Sequence, residues 1–258
     1  MRIEIDLNKS VESNASDYYE RIKHQKKKLE GTKKAIVNTQ LKLKKVIEDK
    51  NKALESLKPK KETISREWYE KFRWFISSEG FLVLGGRDAT SNEILIKKHT
   101  EQNDIIFHTD MVGSPFFVVK TENKAPGRPT ITEAADATIT FSRAFKLGLS
   151  TNKVFMAKPE QLTKEAKAGE FVPKGGFVTK GKLEYIDNKI NLAVGNYNGK
   201  IMAGPIESVK TYCKSYVQLE QGKEKPAKVS KTIHHSINGD IDEIVRVLPA
   251  GTFKIKKS

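Results

Sequence analysis

The sequence predicts an α+β protein: a long, basic coiled-coil helix followed by a mixed α/β globular domain with an antiparallel-rich sheet. Three observations carry this reading. A seven-residue apolar period runs through a lysine-rich opening region. Past residue 66 the composition changes to β-branched and aromatic runs separated by glycine turns. Strands then come in clusters with helices between only some of them, which favours α+β over regular βαβ units. The expected domains are 1–65, a helical arm, and 66–258, the globular part.

The arm comes first. Ile22, Leu29, Ile36 and Leu43 repeat every seven residues, and the register continues through Lys50, Leu57 and Ile64. Val46, Ile47, Ala53 and Leu54 partly fill the second seam position. A sustained heptad with Lys and Glu between its apolar positions is the pattern of a coiled-coil helix. The helix is expected to start near Asn14, with Ser13 or Asn14 as N-cap and Asp17 in the first turn. Pro59 is expected to break or kink it, with a further turn resuming through Trp68. Gln25, Thr32 and Thr39 weaken the seam. A lone amphipathic helix cannot bury its stripe. It needs a partner helix, from a second chain or from a segment absent from this sequence.

The globular part follows. "RWFIS" and "FLVLGG" read as a hairpin turned at Ser78-Glu79-Gly80. Thr90-Ser91-Asn92-Glu93 opens a helix, Thr90 and Glu93 having capping-box spacing. "NDIIFHT" and "PFFVVKT" form a second strand pair, turned at Met111 to Pro115. "NKAPGRP" is a loop. "TITEAADATITFSRAFKLG" reads as one helix, capped by Thr130 and Glu133 or by Thr132 and stopped by Gly148. "KVFMA", "EFVP", "GFVTKGKLEYI" and "KINLAV" are expected strands. Asn198-Gly199 makes a hairpin turn into "KIMAG". "IESVKTYC" and "IDEIVRVLP" read as short helices.

Composition bounds the function. The 258 residues carry a net charge of +15, which calls for a polyanionic partner. Fifteen of the basic residues against five acidic ones lie between Arg21 and Glu62. No apolar run reaches the roughly 18 residues of a transmembrane helix. "MRIEIDLNKS" lacks the apolar core of a signal peptide. Nucleic acid is therefore favoured over a membrane. The single cysteine, Cys213, makes no internal disulfide, which fits a reducing cytoplasm. Beside Tyr212 and Tyr216 it reads as a buried structural thiol.

Candidate chemistry centres on Gly85-Gly86-Arg87-Asp88. Two glycines allow a sharp turn after "FLVL", and a helix starting at Thr90 would present free N–H groups and a positive dipole end beside Arg87. Such a site suits a phosphate. The alternative is that Asp88 or Thr90 only caps and Arg87 pairs with Asp88 or Glu93. "GFVTKGKL" fits a phosphate-loop spacing, but Leu183 stands where Mg²⁺ needs a hydroxyl. Nucleotide hydrolysis is excluded on that ground, while Lys174, Lys180 and Lys182 remain a basic patch. His108 and Asp110, with Asp88 and Glu93, could converge as a metal-dependent nuclease site. His108 also reads as a hydrogen-bonding structural histidine at a strand end, and His234-His235 as surface residues. Aromatics interleave with bases at Arg73-Trp74, at Phe116-Phe117 with Lys120, at Phe141 with Arg143 and at Phe145 with Lys146. That pattern can hold single-stranded RNA by stacking and charge. Strand alternation favours core for most of these rings, with the bases beside them exposed.

Several blocks in order, "WYEKFRWFISSEGFLVLGGRDATSNEILIKKH", "DIIFHTDMVGSPFFVVK", "TEAADATITFSRAFKLG" and "PEQLTKEAKAGEFVPKGGFVTKGK", closely resemble the RNA-binding C-terminal domain of the NFACT family from about Trp68 to Lys182. "AGPIESVK" and "IDEIVRVLPAG" resemble the archaeal form. "IDLNKS" with "NASDYYERIKHQKKKLEG" resembles the returning helix of the family's coiled-coil arm. The resemblance implies a ribosome-associated quality-control factor that binds large ribosomal subunits carrying stalled nascent chains, its domain contacting tRNA or rRNA. Members begin with an N-terminal domain, a helix-hairpin-helix region and a first coiled-coil helix. Nothing here matches those, so a C-terminal fragment or a short member is expected. The family's Asp-Arg pair, implicated in adding C-terminal tails, lies in the N-terminal domain; Arg87-Asp88 has the reverse order and takes no such role.

The expected function is a non-catalytic, cytoplasmic RNA-binding module without cofactor or metal. Its expected RNA-binding residues are Arg73, Arg87, Asn92, Lys97, Lys98, His108, Arg143, Lys146, Lys174, Lys180 and Lys182. Lys23, Lys26, Lys27, Lys33 and Lys34 are either a solvated helix face or a further phosphate-contacting surface. The alternatives are the nuclease built on Asp88, Glu93, Asp110 and His108, and a coiled-coil dimer that mediates protein contacts alone.

Overall fold

A computed structural model describes residues 4–56, 67–165 and 171–256. The chain divides into two units, Met1–Ile64 and Ser65–Ser258. The expected break at Pro59 and the boundary at residue 65 lie outside the described residues. None of the described helices is long and apolar enough to cross a membrane.

In the first unit, α1 (Val11–Ser56) is one helix of 46 residues. It starts earlier than expected. Ser10 Oγ accepts the Ser13 N–H at 3.2 Å, so Ser10 acts as the cap. Asn14 instead pins the leading segment: its Oδ1 accepts the Asp6 N–H at 2.8 Å and its Nδ2 donates to the Asp6 carbonyl at 3.0 Å. Ile22, Leu29, Ile36 and Leu43 are exposed along one stripe.

The second unit is α+β with two main antiparallel sheets. The larger contains β1 (Arg73–Ile76), β2 (Leu82–Gly85), β3 (Ile105–Thr109), β4 (Phe117–Val119), β5 (Val154–Ala157) and β8 (Glu184–Ile186), ordered β1-β2-β4-β3-β5-β8. The smaller contains β9 (Leu192–Tyr197), β10 (Lys200–Gly204), β11 (Tyr216–Glu224) and β12 (Phe253–Ile255), ordered β10-β9-β11-β12. β6 (Leu162–Thr163) and β7 (Val178–Thr179) pair separately. The hairpins at Ser78–Gly80 and Asn198-Gly199 form as expected, with Phe75 opposite Val83 and Ile201 opposite Asn196. Gly80, Asn198 and Gly199 all have positive φ, as a tight hairpin requires.

Helices cover the sheets. α3 (Arg128–Thr140) lies on β3, β4 and β5, and its Ala134, Ala135 and Ala137 are fully buried. Small side chains let the helix approach the strands closely. β4 is buried at all three positions, as a strand covered on both faces should be. α5 (Ile206–Tyr212) packs on β9 and β1, α6 (Pro226–Ile237) on β11, and α7 (Ile241–Val247) on α6 and β10. One core runs through both sheets, and each fully buried Phe or Leu in it contributes about 1.5–3 kcal/mol. β1 meets β10 at Gly204, where an added Cβ would lie 2.8 Å from the Phe75 ring.

Several expected elements change. The single helix over 130–148 is two, α3 and α4 (Arg143–Leu147), broken where Ser142 caps the second through the Ala144 N–H. Gly148 ends α4 in the left-handed region, φ 74°. Thr130 and Glu133 do not cap a helix. The Thr130 hydroxyl and N–H both donate to Glu79 Oε2, and Glu133 Oε2 accepts the Ser78 N–H at 2.9 Å. They tie α3 to the first hairpin. The expected strand "EFVP" is loop at Phe171–Pro173, its Glu170 lying outside the described residues. "GFVTKGKLEYI" splits at Gly181, φ +81°, into β7 and β8, which join different sheets. β11, α6 and β12 complete the smaller sheet and its cover.

Candidate nucleic-acid interface

The glycine corner is built for close packing. Neither Gly85 nor Gly86 has positive φ. A Cβ on Gly85 would lie 2.4 Å from the Phe117 ring, and one on Gly86 would lie 1.8 Å from Asn92 Oδ1. α2 (Ala89–Lys98) begins directly after. Asp88, not Thr90, is its N-cap: Asp88 Oδ1 accepts the Ser91 N–H at 2.8 Å, and Ser91 Oγ accepts the Asp88 N–H at 2.8 Å. The Ser91 N–H donor holds the Asp88 carboxyl below its ordinary range. The helix start is thus occupied by the chain's own carboxylate. It is also covered, since a Cβ on Gly175 would meet Ala89 Cα at 2.5 Å.

Arg87 turns away from that helix start. Its Nε donates to the Lys71 carbonyl at 3.2 Å, Nη1 to the Arg246 carbonyl at 2.7 Å and Nη2 to the Phe72 carbonyl at 2.8 Å. Arg73 Nη1 donates to the Val247 carbonyl at 3.1 Å, and its guanidinium lies 4.6 Å from the Phe141 ring centroid. The two arginines therefore satisfy carbonyls at the end of α7, where the helix dipole favours cations. Burial, and then the Arg87 charge, lowers the Arg73 pKa to about 9. Burial, and then the Arg246 charge, lowers that of Arg87 to about 10.

Asn92 and His108 meet on one carbonyl. Asn92 Nδ2 donates to Ser114 O at 3.3 Å and its Oδ1 accepts the Phe116 N–H at 3.1 Å. His108 Nε2 donates to the same oxygen at 3.2 Å, and its ring stacks on Phe116 at 3.9 Å. Burial pushes the His108 pKa down to about 4. Both side chains hold the loop between β3 and β4 against α2. Glu93 ties α2 to the turn at Pro173–Gly176, accepting from Lys97 at 2.7 Å and from the Gly175 N–H at 3.2 Å. Asp110 is exposed on the turn after β3. Among the described residues no group of three His, Cys, Asp or Glu side chains could hold a metal ion. The nuclease set is not assembled.

The remaining cations face solvent. Lys98, on the last turn of α2, and Arg143 and Lys146, on α4, are exposed. Lys174 is exposed near Asp88, and Lys182 is exposed before β8. Lys97 and Lys180 are exposed but paired, with Glu93 and with Glu165 at 2.7 Å. On α1, Lys23 lies 3.4 Å from Glu20, while Lys26, Lys27, Lys33 and Lys34 are exposed. Trp74, Phe116, Phe117, Phe141 and Phe145 are core, although alternation does not account for the adjacent Phe116 and Phe117, since β4 is buried at every position, nor for Phe141 and Phe145, which lie at the end of α3 and in α4. Lys120, expected on the surface beside Phe117, is buried between Asp104 and Glu101 and donates to the His99 carbonyl at 3.1 Å. His234 is half-buried and donates to the Gly239 carbonyl at 2.6 Å; His235 is exposed. Cys213 is buried, and burial pushes its thiol up to about 11.

Sequence reasoning passed over one exposed arrangement. Trp68, in the 3-10 turn Trp68–Lys71, stacks on His99 at 4.8 Å and 18°. Lys71 Nζ donates to His99 Nε2 at 3.1 Å. Trp68 and His99 are 31 positions apart, so no local spacing joins them.

The class in view is thus an α+β domain with cations exposed on α2, on α4 and before β8, and with no group of three metal-ligating side chains among its described residues. More particularly, residues 71–181 match the family described as NFACT protein RNA binding domain. It is 39% identical over 200 residues to the archaeal Rqc2 homolog aRqcH of Methanocaldococcus jannaschii, covering 74% of this chain and 30% of that protein. It is 32% identical over 179 residues to the ribosome quality control complex subunit NEMF of Homo sapiens, covering 67% of this chain and 16% of that protein. The match to ribosome quality control complex subunit 2 of Schizosaccharomyces pombe is 32% over 192 residues, covering 71% and 18%. The chain thus spans less than a third of each of these relatives.

Proposed function

We propose that this chain is the non-catalytic RNA-binding part of a ribosome-associated quality-control factor of archaeal type. In this reading it holds tRNA or ribosomal RNA on large ribosomal subunits that carry stalled nascent chains, in the cytoplasm. The observation that carries the reading is the family match over residues 71–181, in a chain of net charge +15. The relatives' names, archaeal Rqc2 homolog and ribosome quality control complex subunits, support the ribosomal setting. The RNA-facing cations are the expected ones that are exposed and make no ion pair among the described residues: Lys98, Arg143, Lys146, Lys174 and Lys182. Lys26, Lys27, Lys33 and Lys34 of α1 add phosphate contacts along the arm. Arg73, Arg87, Asn92 and His108 support the fold behind that surface. The apolar stripe of α1 takes a second helix.

The test is RNA affinity against salt. Each phosphate contact contributes about 0.7–0.9 to the slope of log affinity on log salt. A slope of several units, with co-sedimentation of the chain and large ribosomal subunits, is the expected result. Affinity indifferent to salt, or no association with subunits, overturns the reading.

A further inference from the structure

We propose that Trp68 and His99 form a stacking platform for one unpaired nucleobase of single-stranded RNA, with Lys71 and Lys98 taking the flanking phosphates. This rests on the RNA-binding reading above and names a contact within it. Of the two tryptophans, Trp74 is 5% exposed and belongs to the core, whereas Trp68 is 47% exposed. An indole left half in water costs solvation that burial would recover, and its π face is the surface on which any base stacks. One face of Trp68 lies on His99, the two rings nearly parallel. His99 is itself braced by the edge of Phe72 at 5.4 Å, 73°. The platform is therefore held in place before a base arrives, which reduces the ordering cost of binding.

Its charge fits the same ligand. Burial, and then the nearby Lys71, Lys120 and Lys98, lower the His99 pKa. The ring stays neutral near pH 7, accepts from Lys71 through Nε2 and offers a π surface without a charge of its own. Lys120 is spent on Asp104 and Glu101. Lys71 and Lys98 are exposed and, among the described residues, make no ion pair. A neutral aromatic pair flanked by two such ammonium groups suits a base with phosphates on either side. A bare acidic peptide would use the lysines and leave the rings idle.

The experiment uses the full chain with a 12-nucleotide single-stranded RNA and an abasic oligomer of the same length. With Trp74→Phe as background, Trp68 becomes the only indole, and its fluorescence reports stacking directly. The expected result is quenching by the RNA and none by the abasic oligomer. Trp68→Leu should weaken RNA affinity by about tenfold, while Trp68→Phe retains most of it. Quenching absent under saturating RNA, or equal affinity of Trp68→Leu and the unaltered chain, overturns the platform and leaves the RNA-binding reading standing. Failure of the unaltered chain to bind either oligomer overturns the platform, and failure also to associate with large ribosomal subunits overturns both.

Discussion

The two units use glycine and lysine in opposite ways. In the arm, a methyl added at Gly31 would meet nothing within 4 Å, and the lysines from Lys26 to Lys34 stand in solvent. In the globular unit, Gly86 is pressed against Asn92, and Arg73, Arg87 and Lys120 are turned inward onto carbonyls or carboxylates. Cation density along a sequence therefore does not identify a binding surface. What matters is whether the charge has already been satisfied by the chain itself. Along that stretch of the arm the lysines make no ion pair among the described residues. In the globular unit several of the most prominent cations have structural partners, whereas the less prominent Lys98, Arg143 and Lys182 make no ion pair among the described residues.

Substitutions can break this contrast. The largest effect is expected from Gly86→Ala, whose methyl overlaps Asn92 Oδ1 and crowds its backbone nitrogen. A loss of about 3 kcal/mol should appear in urea unfolding followed by Trp74 fluorescence. An unchanged midpoint would mean the corner has room. Arg87→Met comes next. It strands the Lys71, Phe72 and Arg246 carbonyls, and a loss of about 2 kcal/mol is expected. RNA affinity per folded molecule should hold; a large drop there would return Arg87 to the interface.

Gly31→Ala carries the opposite sign. In an open helical position the methyl should raise α1 helicity and stability by up to about 1 kcal/mol, read from the thermal melt of the helical circular dichroism band. Asp88→Ala should cost about 1 kcal/mol through the lost cap. Because the folded Asp88 pKa is depressed, its contribution is complete above the unfolded value of about 4. It is lost as pH falls through the lower folded value. The difference between Asp88→Ala and the parent should therefore narrow only in acid. The smallest stability change is expected for Lys26, Lys27, Lys33 and Lys34 changed together to Gln. Unfolding should move by about 0.5 kcal/mol or less, while the salt slope of RNA binding falls.

The first hairpin, the β3–β4 pair and the Asn198-Gly199 turn were legible because each has a short loop and an apolar run on either side. The class of the arm was legible from its heptads. The break inside 130–148 was not, because Ala before it and Ala, Arg, Lys and Leu after it suit a continuous helix and only Ser142, bound to Ala144, interrupts the run. β11 and α6 carried a signal that lysines obscured. Val217 and Leu219 alternate inward, and Val229, Ile233 and Ile237 recur at helical spacing behind Pro226. At the site, exposure itself was unreadable. Arg87 follows two glycines and precedes a helix, yet its partners Lys71, Phe72 and Arg246 lie up to 159 positions away. Trp68 and His99 become neighbours only in the folded chain.

Cys213 has a practical meaning for any of these measurements. As the chain's single cysteine, buried and with its thiol pushed up to about 11, it offers almost no thiolate at neutral pH. The natural chain is in effect silent to maleimide reagents. One cysteine introduced at an exposed position such as Lys182 or Lys34 would be the sole reactive handle, so a dye or crosslinker can be seated on either unit without first removing a native residue.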